Sequence, residues 1–417
     1  MKISDIKPEV FRMAEEAEKE IHEVFRRIDA VAERNTRKVM EAFQDNRVSD
    51  SCFAGTTGYG YDDLGRETLD KIYAQVFGAE AALVRINFVN GTHALTAAMF
   101  ATVKPGDTIL AATGMPYDTL RSAIGISGSC HGSLKFYGID YAQVDLRADG
   151  TPDIEGIKAA VSDKKATAVM VQRSRGYEDR PALTVEQIGE ICAAVKSVDP
   201  AAVIMVDNCY GEFTDVIEPT DVGADLIAGS LIKNPGGGIA PTGGYIAGRK
   251  ELVDRAAMRL TTPGIGGECG STLGNNRLLY QGLFMAPHTV AQALKTAVFC
   301  AAMMKRLGIG SSPAADEKRS DIIQMIRLGS EENMRRFCLG IQAGAPVDSF
   351  VTPEPWAMPG YDCPVIMAAG AFIQGSSIEL SADGPVRPPY IAYMQGGLTY
   401  ESGKLGIMMA VSAMLDK

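Results

Sequence analysis

The chain has 417 residues, more than one hydrophobic core usually supports, so we expect two domains. Its net charge of -10 excludes a general attraction for nucleic acid or an anionic membrane surface. No apolar run is long enough to span a bilayer, and the N-terminus has no apolar signal-peptide core, so we expect a cytoplasmic protein. The 8 cysteines are scattered without a C-x-x-C pair, which argues against a disulfide framework or a metal site.

The first predicted element is a long amphipathic helix over residues 8–43, where apolar residues recur at helical spacing among Glu, Lys and Arg. Such a helix commonly lies outside a catalytic core or packs on a partner subunit. We therefore expect residues 1–50 to form an N-terminal helical segment that packs with the smaller domain or with a partner.

Short β-rich runs alternate with helical stretches over residues 51–290. The predicted strands are residues 81–89, 107–113, 135–144, 166–174, 201–208, 224–230 and 243–249. The predicted helices between them include residues 92–103, 152–163 and 184–198. This alternation indicates an α/β domain with a mostly parallel sheet covered on both faces, whose active site lies at the carboxyl ends of the strands.

The remaining residues, 291–417, predict a smaller α+β domain. Two helical stretches are followed by a hairpin across Gly375, formed by residues 364–374 and 376–383. An amphipathic helix over residues 403–415 ends the chain.

Lys233 follows a predicted strand that ends at Ser230, and a glycine-rich turn comes next. Burying an ammonium group is costly unless it is paired or neutralised. A Schiff base with a carbonyl cofactor removes that cost and supplies an activated imine. The alternative is a surface loop with an incidental lysine.

Asp207 ends another apolar run and precedes Lys233 by about one helix and one strand, which suits neighbouring strands. Pyridoxal 5′-phosphate (PLP) chemistry needs a carboxylate at the pyridine nitrogen so that the ring acts as an electron sink. A helix cap or a metal-binding aspartate is the alternative interpretation of such a residue.

A third feature is a strand that leads into Asn90-Gly91-Thr92-His93 and then a helix. A helix N-terminus presents free N–H groups and binds phosphate. His93 is also a candidate to stack on the pyridine ring, and Tyr117 competes for that role. Simple capping of the helix is the alternative.

Two arginines are candidates for anion binding. Arg387 lies among prolines after the predicted hairpin, and its bidentate fork suits a substrate carboxylate. Arg175 follows a strand end and is a candidate for the cofactor or the substrate, with a salt bridge that holds its loop as the alternative. The glycine-rich residues 261–270 suggest an active-site flap from a second subunit. Cys269 lies within this segment, and a lone cysteine is more often structural than reactive.

In this order, these features resemble the fold-type I PLP enzymes, which have the aspartate aminotransferase fold. Among them the chain is similar to the cystathionine γ-synthase, cystathionine β-lyase and methionine γ-lyase group. More closely, it resembles the bacterial aluminium resistance family, which is methionine γ-lyase-like. The stretches that carry the resemblance are NFVNGTHAL, QRSRGY, VDNCYGEF, SLIKNPGGGIAPTGGY and RPPYIAYMQGGLTY, which span most of the chain.

The resemblance implies that Lys233 is the imine lysine and general base and that Asp207 pairs with the pyridine nitrogen. The residues implied to bind phosphate are Gly91, Thr92 and Ser230. Arg387 is implied to take the substrate carboxylate.

The sequence departs from the better-studied relatives in two places. Their Ser-x-Thr-Lys is Ser230-Leu231-Ile232-Lys233 here, so one phosphate hydroxyl is absent. Their Tyr-x-Arg segment, which reaches the neighbouring subunit's phosphate, is replaced by GYGYDDLGRETLD, in which Tyr59, Tyr61 or Arg66 are the candidates.

The reaction that the resemblance implies is carbon–sulfur lysis of a small sulfur-containing amino acid. Transamination, aldol cleavage, β-replacement and PLP binding without turnover stay open, because one fold hosts many chemistries. A nucleotide-binding protein is disfavoured, since no G-x-G-x-x-G opens a helix early in the alternating region and the P-loop signature is absent. We expect a homodimer or homotetramer with shared active sites.

Overall fold

The computed structural model describes residues 1–128, 131–358 and 363–415, so Cys130 lies outside the described residues. Within these ranges the strands form one sheet of seven strands and one of five. None of the described helices combines the length and apolar character that a membrane crossing needs. The two sheets and their intervening helices give the chain the mixed α/β architecture that the sequence predicts.

The larger sheet is mostly parallel, as predicted. Its strands are β1 (Ala81–Arg85), β2 (Thr108–Ala111), β3 (Asp140–Gln143), β4 (Ala168–Gln172), β5 (Val203–Asp207), β6 (Leu226–Ser230) and β7 (Gly244–Gly248). Their order is β1-β7-β6-β5-β4-β2-β3. Strands β2 to β6 pair in parallel, whereas β7 pairs antiparallel with both β6 and β1.

Both faces of this sheet are buried, which explains the nearly continuous apolar runs of its strands. In β4, Val169 and Val171 join one hydrophobic cluster, while Ala168 and Met170 join another on the opposite face. The helices of this region are α2 (Leu64–Val76), α3 (Gly91–Thr102), α4 (Asp118–Ile124), α5 (Ile154–Lys164), α6 (Val185–Val198) and α7 (Lys250–Leu260). This layering leaves the carboxyl ends of the parallel strands open for a site.

Two long helices, α1 (Pro8–Asp45) and α8 (Asn276–Arg306), pack against the hydrophobic cores of both sheets. In α1, Val10 and Ile21 pack in the core of the smaller sheet, whereas Val39 packs in that of the larger one. Helix α8 contributes to both cores in the same way. The division at residue 290 stays a prediction, and that residue lies inside α8.

The smaller sheet is antiparallel, in the order β10-β11-β12-β9-β8. Its strands are β8 (Ser311–Ser312), β9 (Ile323–Arg327), β10 (Val365–Ala369), β11 (Ser381–Pro385) and β12 (Ile391–Gln395). Helices α9 (Glu331–Ala343) and α10 (Tyr400–Leu415) share its hydrophobic core.

The predicted hairpin exists, but its turn is not at Gly375 alone. Strands β10 and β11 pair antiparallel with Ala369 opposite Ser381, so residues 370–380 all lie in the connection. Glu379 organises it, because its carboxylate accepts hydrogen bonds from the backbone N–H groups of Phe372 and Ile373. A side chain thus replaces the strand partner there, which the alternation of apolar residues did not indicate.

Candidate active site

Asp207 and Ser230 are the last residues of two adjacent parallel strands and are both buried. The sequence correctly predicts that these strands are neighbours. The prediction of a helix between them is wrong, since the connection contains only a short 3-10 helix, Pro219–Val222. Its backbone is held by buried side chains instead, with Glu218 accepting a hydrogen bond from the N–H of Phe213 at 3.0 Å.

Lys233 lies at the carboxyl edge of the larger sheet, with its Nζ 4.0 Å from the centroid of the Tyr210 ring. Burial alone would lower the pKa of Lys233, but Cys209, Tyr210 and the carboxyl groups of Asp207 and Glu212 outweigh it and raise the pKa. Burial raises the pKa of Asp207, and the ammonium of Lys233 opposes that rise. Lysine and aspartate are therefore electrostatically linked at the bottom of the site.

Tyr210 is a site residue that the sequence did not single out. Its φ is +70°, a left-handed conformation that is unfavourable for a bulky side chain and is kept only when the surroundings enforce it. This conformation depends on tertiary structure, so the only signal in the sequence is the position of Tyr210 three residues after Asp207. Cys209, which the sequence analysis also did not single out, is buried close to the charged groups of Asp207 and Lys233.

A polar network lies beneath the lysine. Tyr245 donates a hydrogen bond to Oε1 of Glu212 at 2.9 Å, and Asn208 contacts Tyr245 and Glu218. Burial raises the pKa of Glu212 to about 8. Its Oε2 has no hydrogen-bond partner among the described residues. Glu212 is thus a second buried carboxyl group that shares its electrostatic environment with Lys233.

The N-terminus of α3 meets the end of β6. Asn90 caps the helix by accepting a hydrogen bond from the N–H of His93 at 2.9 Å. A Cβ built on Gly91 would lie 3.1 Å from Cβ of Ser230, a tight contact, so the backbone at Gly91 lies close to Ser230. The Thr92 hydroxyl is 2.9 Å from that of Thr119. Gly91 and Ser230 are therefore adjacent, Thr92 follows at the N-terminus of α3, and their binding of a phosphate stays a prediction.

The two candidates for ring stacking differ in their surroundings. Nδ1 of His93 accepts a hydrogen bond from the N–H of Val89, and burial lowers the pKa of His93 with a further contribution from Arg259. Tyr117 is instead joined to the end of β4, because its N–H donates to Oε1 of Gln172 at 2.8 Å. Gln172 lies opposite Asp207 in the sheet, so Tyr117 is the one connected to the strand ends.

A cavity of about 180 Å³ adjoins the strand ends. It is lined by Tyr117, Asp118, Arg121, Gln172, Arg175, Gly176, Tyr177, Glu178, Cys363, Pro385 and Arg387. Neither Lys233 nor Asp207 lines it, but Gln172, which lines it, pairs with Asp207 in the sheet. The predicted arginines Arg175 and Arg387 therefore lie in one cavity although they come from different sheets.

The tyrosines of the N-terminal loop do not line this cavity. Tyr59 and Tyr61 are 74% and 56% exposed, and their rings stack with centroids 5.7 Å apart. Arg66 is fully buried and donates hydrogen bonds to backbone carbonyls, among them Gly60 and Gly270. Its guanidinium thus holds two loops of its own chain together, and its role toward a neighbouring subunit stays a prediction.

Comparison with known proteins identifies a family. The family model of methionine gamma-lyase matches residues 10–415. A carbon-sulfur lyase involved in aluminum resistance from Clostridium novyi NT is 53% identical, with a TM-score of 0.95 over 98% of this chain and 96% of that one. The uncharacterized protein YnbB of Bacillus subtilis is 48% identical over 407 residues, 97% of this chain and 96% of that protein.

The fold extends to more distant proteins. The pyridoxal-5′-phosphate-dependent protein YhfS from Escherichia coli has a TM-score of 0.62 at 18% identity, covering 90% of this chain and 94% of that one. At that identity the likeness concerns the fold alone, which is fold type I. Together with the match over nearly the whole chain, this means that the chain belongs to the methionine γ-lyase family of PLP-dependent lyases.

Proposed function

We propose that this protein binds PLP and cleaves a carbon–sulfur bond of a sulfur-containing amino acid, by β- or γ-elimination. The observation that carries the proposal is the arrangement of Lys233, Asp207 and the α3 N-terminus at one sheet edge, in a chain of this family. The overall reaction consumes water and gives a thiol, a 2-oxo acid and ammonia. The fold alone does not fix the reaction.

The residues at the sheet edge fit PLP. The first N–H groups of α3 have no acceptor within the helix, and together with the Ser230 hydroxyl they suit a phosphate. The close approach of Gly91 to Ser230 leaves no side chain in that space. Bound PLP would supply an electron sink for the negative charge that develops at Cα of the substrate.

The side chains divide the work. Lys233 would hold the cofactor covalently through Nζ, then use the same nitrogen, once released, to take the proton from Cα of the substrate. The carboxylate of Asp207 would keep the pyridine nitrogen protonated. Tyr117 is the better candidate to stack on the ring, since it is joined to the strand end beside Asp207. Arg175 and Arg387 would bind substrate carboxylates in the cavity.

Tyr59 and Tyr61 would serve the site of a neighbouring subunit. Both are exposed in the single chain and lie outside its own cavity. This is the basis for proposing a homo-oligomer with shared sites.

A substrate panel tests the function. The PLP-saturated enzyme is given cysteine, cystathionine, homocysteine and methionine, and thiol and 2-oxo acid are measured. A three-carbon oxo acid reports β-elimination and a four-carbon oxo acid reports γ-elimination. Lys233→Ala should release neither product, and the surface variant Lys158→Ala should behave like the wild type. Conversion of the cofactor to its amine form, with no thiol, would contradict the proposal and indicate transamination.

A further inference from the structure

Arg175 is a buried cation without a counterion in direct contact. Its side chain is fully buried, yet none of its three guanidinium nitrogens has a hydrogen-bond partner within residues 1–128, 131–358 and 363–415. A buried charge without partners is unfavourable, because nothing offsets its loss of hydration. Because the Arg175 guanidinium lines a cavity, its missing hydrogen-bond partners indicate that an anionic ligand binds there.

Among the described residues, no carboxylate forms an ion pair with the Arg175 guanidinium. Asp321 is the carboxylate beside the loop, and it accepts hydrogen bonds from the Ser174 hydroxyl and the backbone N–H groups of Ile323 and Arg175. Arg319, also buried, leaves its Nε and Nη1 without partners among the described residues. Burial lowers the pKa of Arg319 to about 10; the carboxylate of Asp321 opposes that decrease and Arg175 adds to it. This region thus has an excess of cations.

The side chains that line the cavity also include more cations than paired anions. Arg121 pairs with Asp118 at 2.7 Å, and Glu178 pairs with Arg180 at 3.0 Å, so these charges balance. Arg387 remains, since its guanidinium contacts no acceptor in the described part of the chain. Arg175 is fully buried, whereas Arg387 is exposed in the turn between β11 and β12. The two unbalanced cations therefore lie at different depths of one cavity.

Of the two, Arg175 has the more direct connection to the strand ends around Asp207 and Lys233. It lies three residues beyond Gln172, which pairs with Asp207 in the sheet. Tyr177, in the same loop, packs on one hydrophobic cluster with Tyr210, whose ring contacts Lys233. Arg387 lies in the turn between β11 and β12 of the smaller sheet.

We propose that the cavity binds two anionic groups of one substrate, with Arg175 on the α-carboxylate and Arg387 on an acidic group at the far end. The proposal rests on the function proposed above and narrows its substrate class. The favoured substrates are thioether amino acids that carry a second carboxylate, and methionine is disfavoured because it leaves Arg387 without a partner.

A matched pair of substrates tests this. S-carboxymethyl-cysteine and S-carbamoylmethyl-cysteine have nearly the same shape, but only the first has a second carboxylate. The PLP-saturated wild type should favour the carboxylate by about tenfold or more in kcat/KM, the worth of one charge-assisted contact. Arg387→Gln should bring the ratio near one, Arg175→Gln should weaken both substrates together, and the surface variant Arg335→Gln should keep the wild-type ratio. A wild-type ratio near one, or a ratio unchanged in Arg387→Gln, would overturn the proposal.

Calorimetry on the same holoenzyme separates this proposal from the proposed function, because it needs no turnover. Adipate, with two carboxylates, should bind about tenfold or more tightly than hexanoate, and both Arg175→Gln and Arg387→Gln should remove the difference. If no thioether reacts but adipate shows this pattern, the lyase function fails and the two-anion site stands. If adipate and hexanoate bind equally, the two-anion site is wrong, whatever the panel shows.

Discussion

The ring of Tyr210 lies against the ammonium group of Lys233, with 4.0 Å between Nζ and the ring centroid. The contact needs the left-handed backbone of Tyr210, whose φ is +70°. Strain of this kind costs about 1–3 kcal/mol and clusters at functional sites. The fold thus holds an aromatic face against Lys233, the lysine that we propose for cofactor attachment.

The Tyr210 contact makes a prediction about the pH dependence of the reaction. A desolvated cation–π contact is worth about 2 kcal/mol, so Tyr210→Leu should lower the pKa of Lys233 by about 1.5 units. The limb of the pH–rate profile that reports this lysine should then move to lower pH. Tyr210→Phe keeps the ring and should leave the profile in place. Equal shifts in both variants would indicate that the hydroxyl, not the ring, matters.

Asp207 should be essential for turnover but not for folding. Asp207→Asn removes the charge that would hold the pyridine nitrogen protonated, so kcat should fall at least about 100-fold, the range for a catalytic charge or proton transfer. Asp163→Asn changes an exposed carboxylate on α5 and serves as the control. Circular dichroism should give both variants the wild-type spectrum. Activity within a few-fold of wild type in Asp207→Asn would contradict the assigned role.

Glu212 should make stability depend on pH. Burial raises its pKa to about 8 in the folded protein, above the usual value of 4.5, so between these values the folded state holds a proton that the unfolded state has lost. The stabilisation is present below about pH 4.5 and is lost as the pH rises through about 8. One such proton gives a slope of at most about 1.4 kcal/mol per pH unit.

Urea unfolding measures this slope between roughly pH 5 and 8, the range that lies between the two pKa values of Glu212. The free energy of unfolding should fall with pH in the wild type and fall less steeply in Glu212→Gln, whose amide mimics the protonated acid. Identical slopes in the two proteins would show that Glu212 is ionised throughout.

Arg175→Met should stabilise the substrate-free protein while it weakens substrate binding. The change removes a buried, unpartnered charge and leaves an apolar side chain of similar length. Its Tm should rise by about 2 °C or more, given roughly 2–4 °C per kcal/mol for a large domain. Differential scanning calorimetry without substrate measures this. A lower Tm would mean that Arg175 has a counterion within the protein.

The tyrosines of the N-terminal loop can be tested by mixing two inactive variants. If Tyr61 completes the neighbour's site, a mixture of Lys233→Ala and Tyr61→Ala chains contains hybrid oligomers in which one site has both intact residues. Activity should then return after the two are unfolded and refolded together, but not after simple addition. No recovery in refolded mixtures that contain hybrids would mean that Tyr61 does not act across subunits.

Much of this fold follows from patterns in the sequence. The central strands are apolar on both faces, so they stand out as short continuous runs, and α3 begins where Asn90 signals a cap. The positions of Asp207 and Ser230 at strand ends follow from the same runs. These features are local, and local propensity is enough to predict them.

The remaining features depend on contacts between distant residues. The β5–β6 connection lacks a helix because buried side chains such as Glu218 satisfy its backbone. Arg66 and Arg175 look alike in sequence. However, the guanidinium of Arg66 donates to backbone carbonyls, whereas that of Arg175 has no hydrogen-bond partner among the described residues. Only the packed structure separates an arginine that holds loops from one that can bind a ligand.

The visible spectrum tests the central claim, that Lys233 carries PLP. The wild type, Lys233→Ala and the surface control Lys158→Ala are saturated with PLP, and spectra are recorded before and after borohydride. The account predicts an absorbance near roughly 420 nm in the wild type and the control, fixed on the Lys233 peptide by reduction and missing from Lys233→Ala. A wild type without that band, or a band that survives in Lys233→Ala, would contradict it.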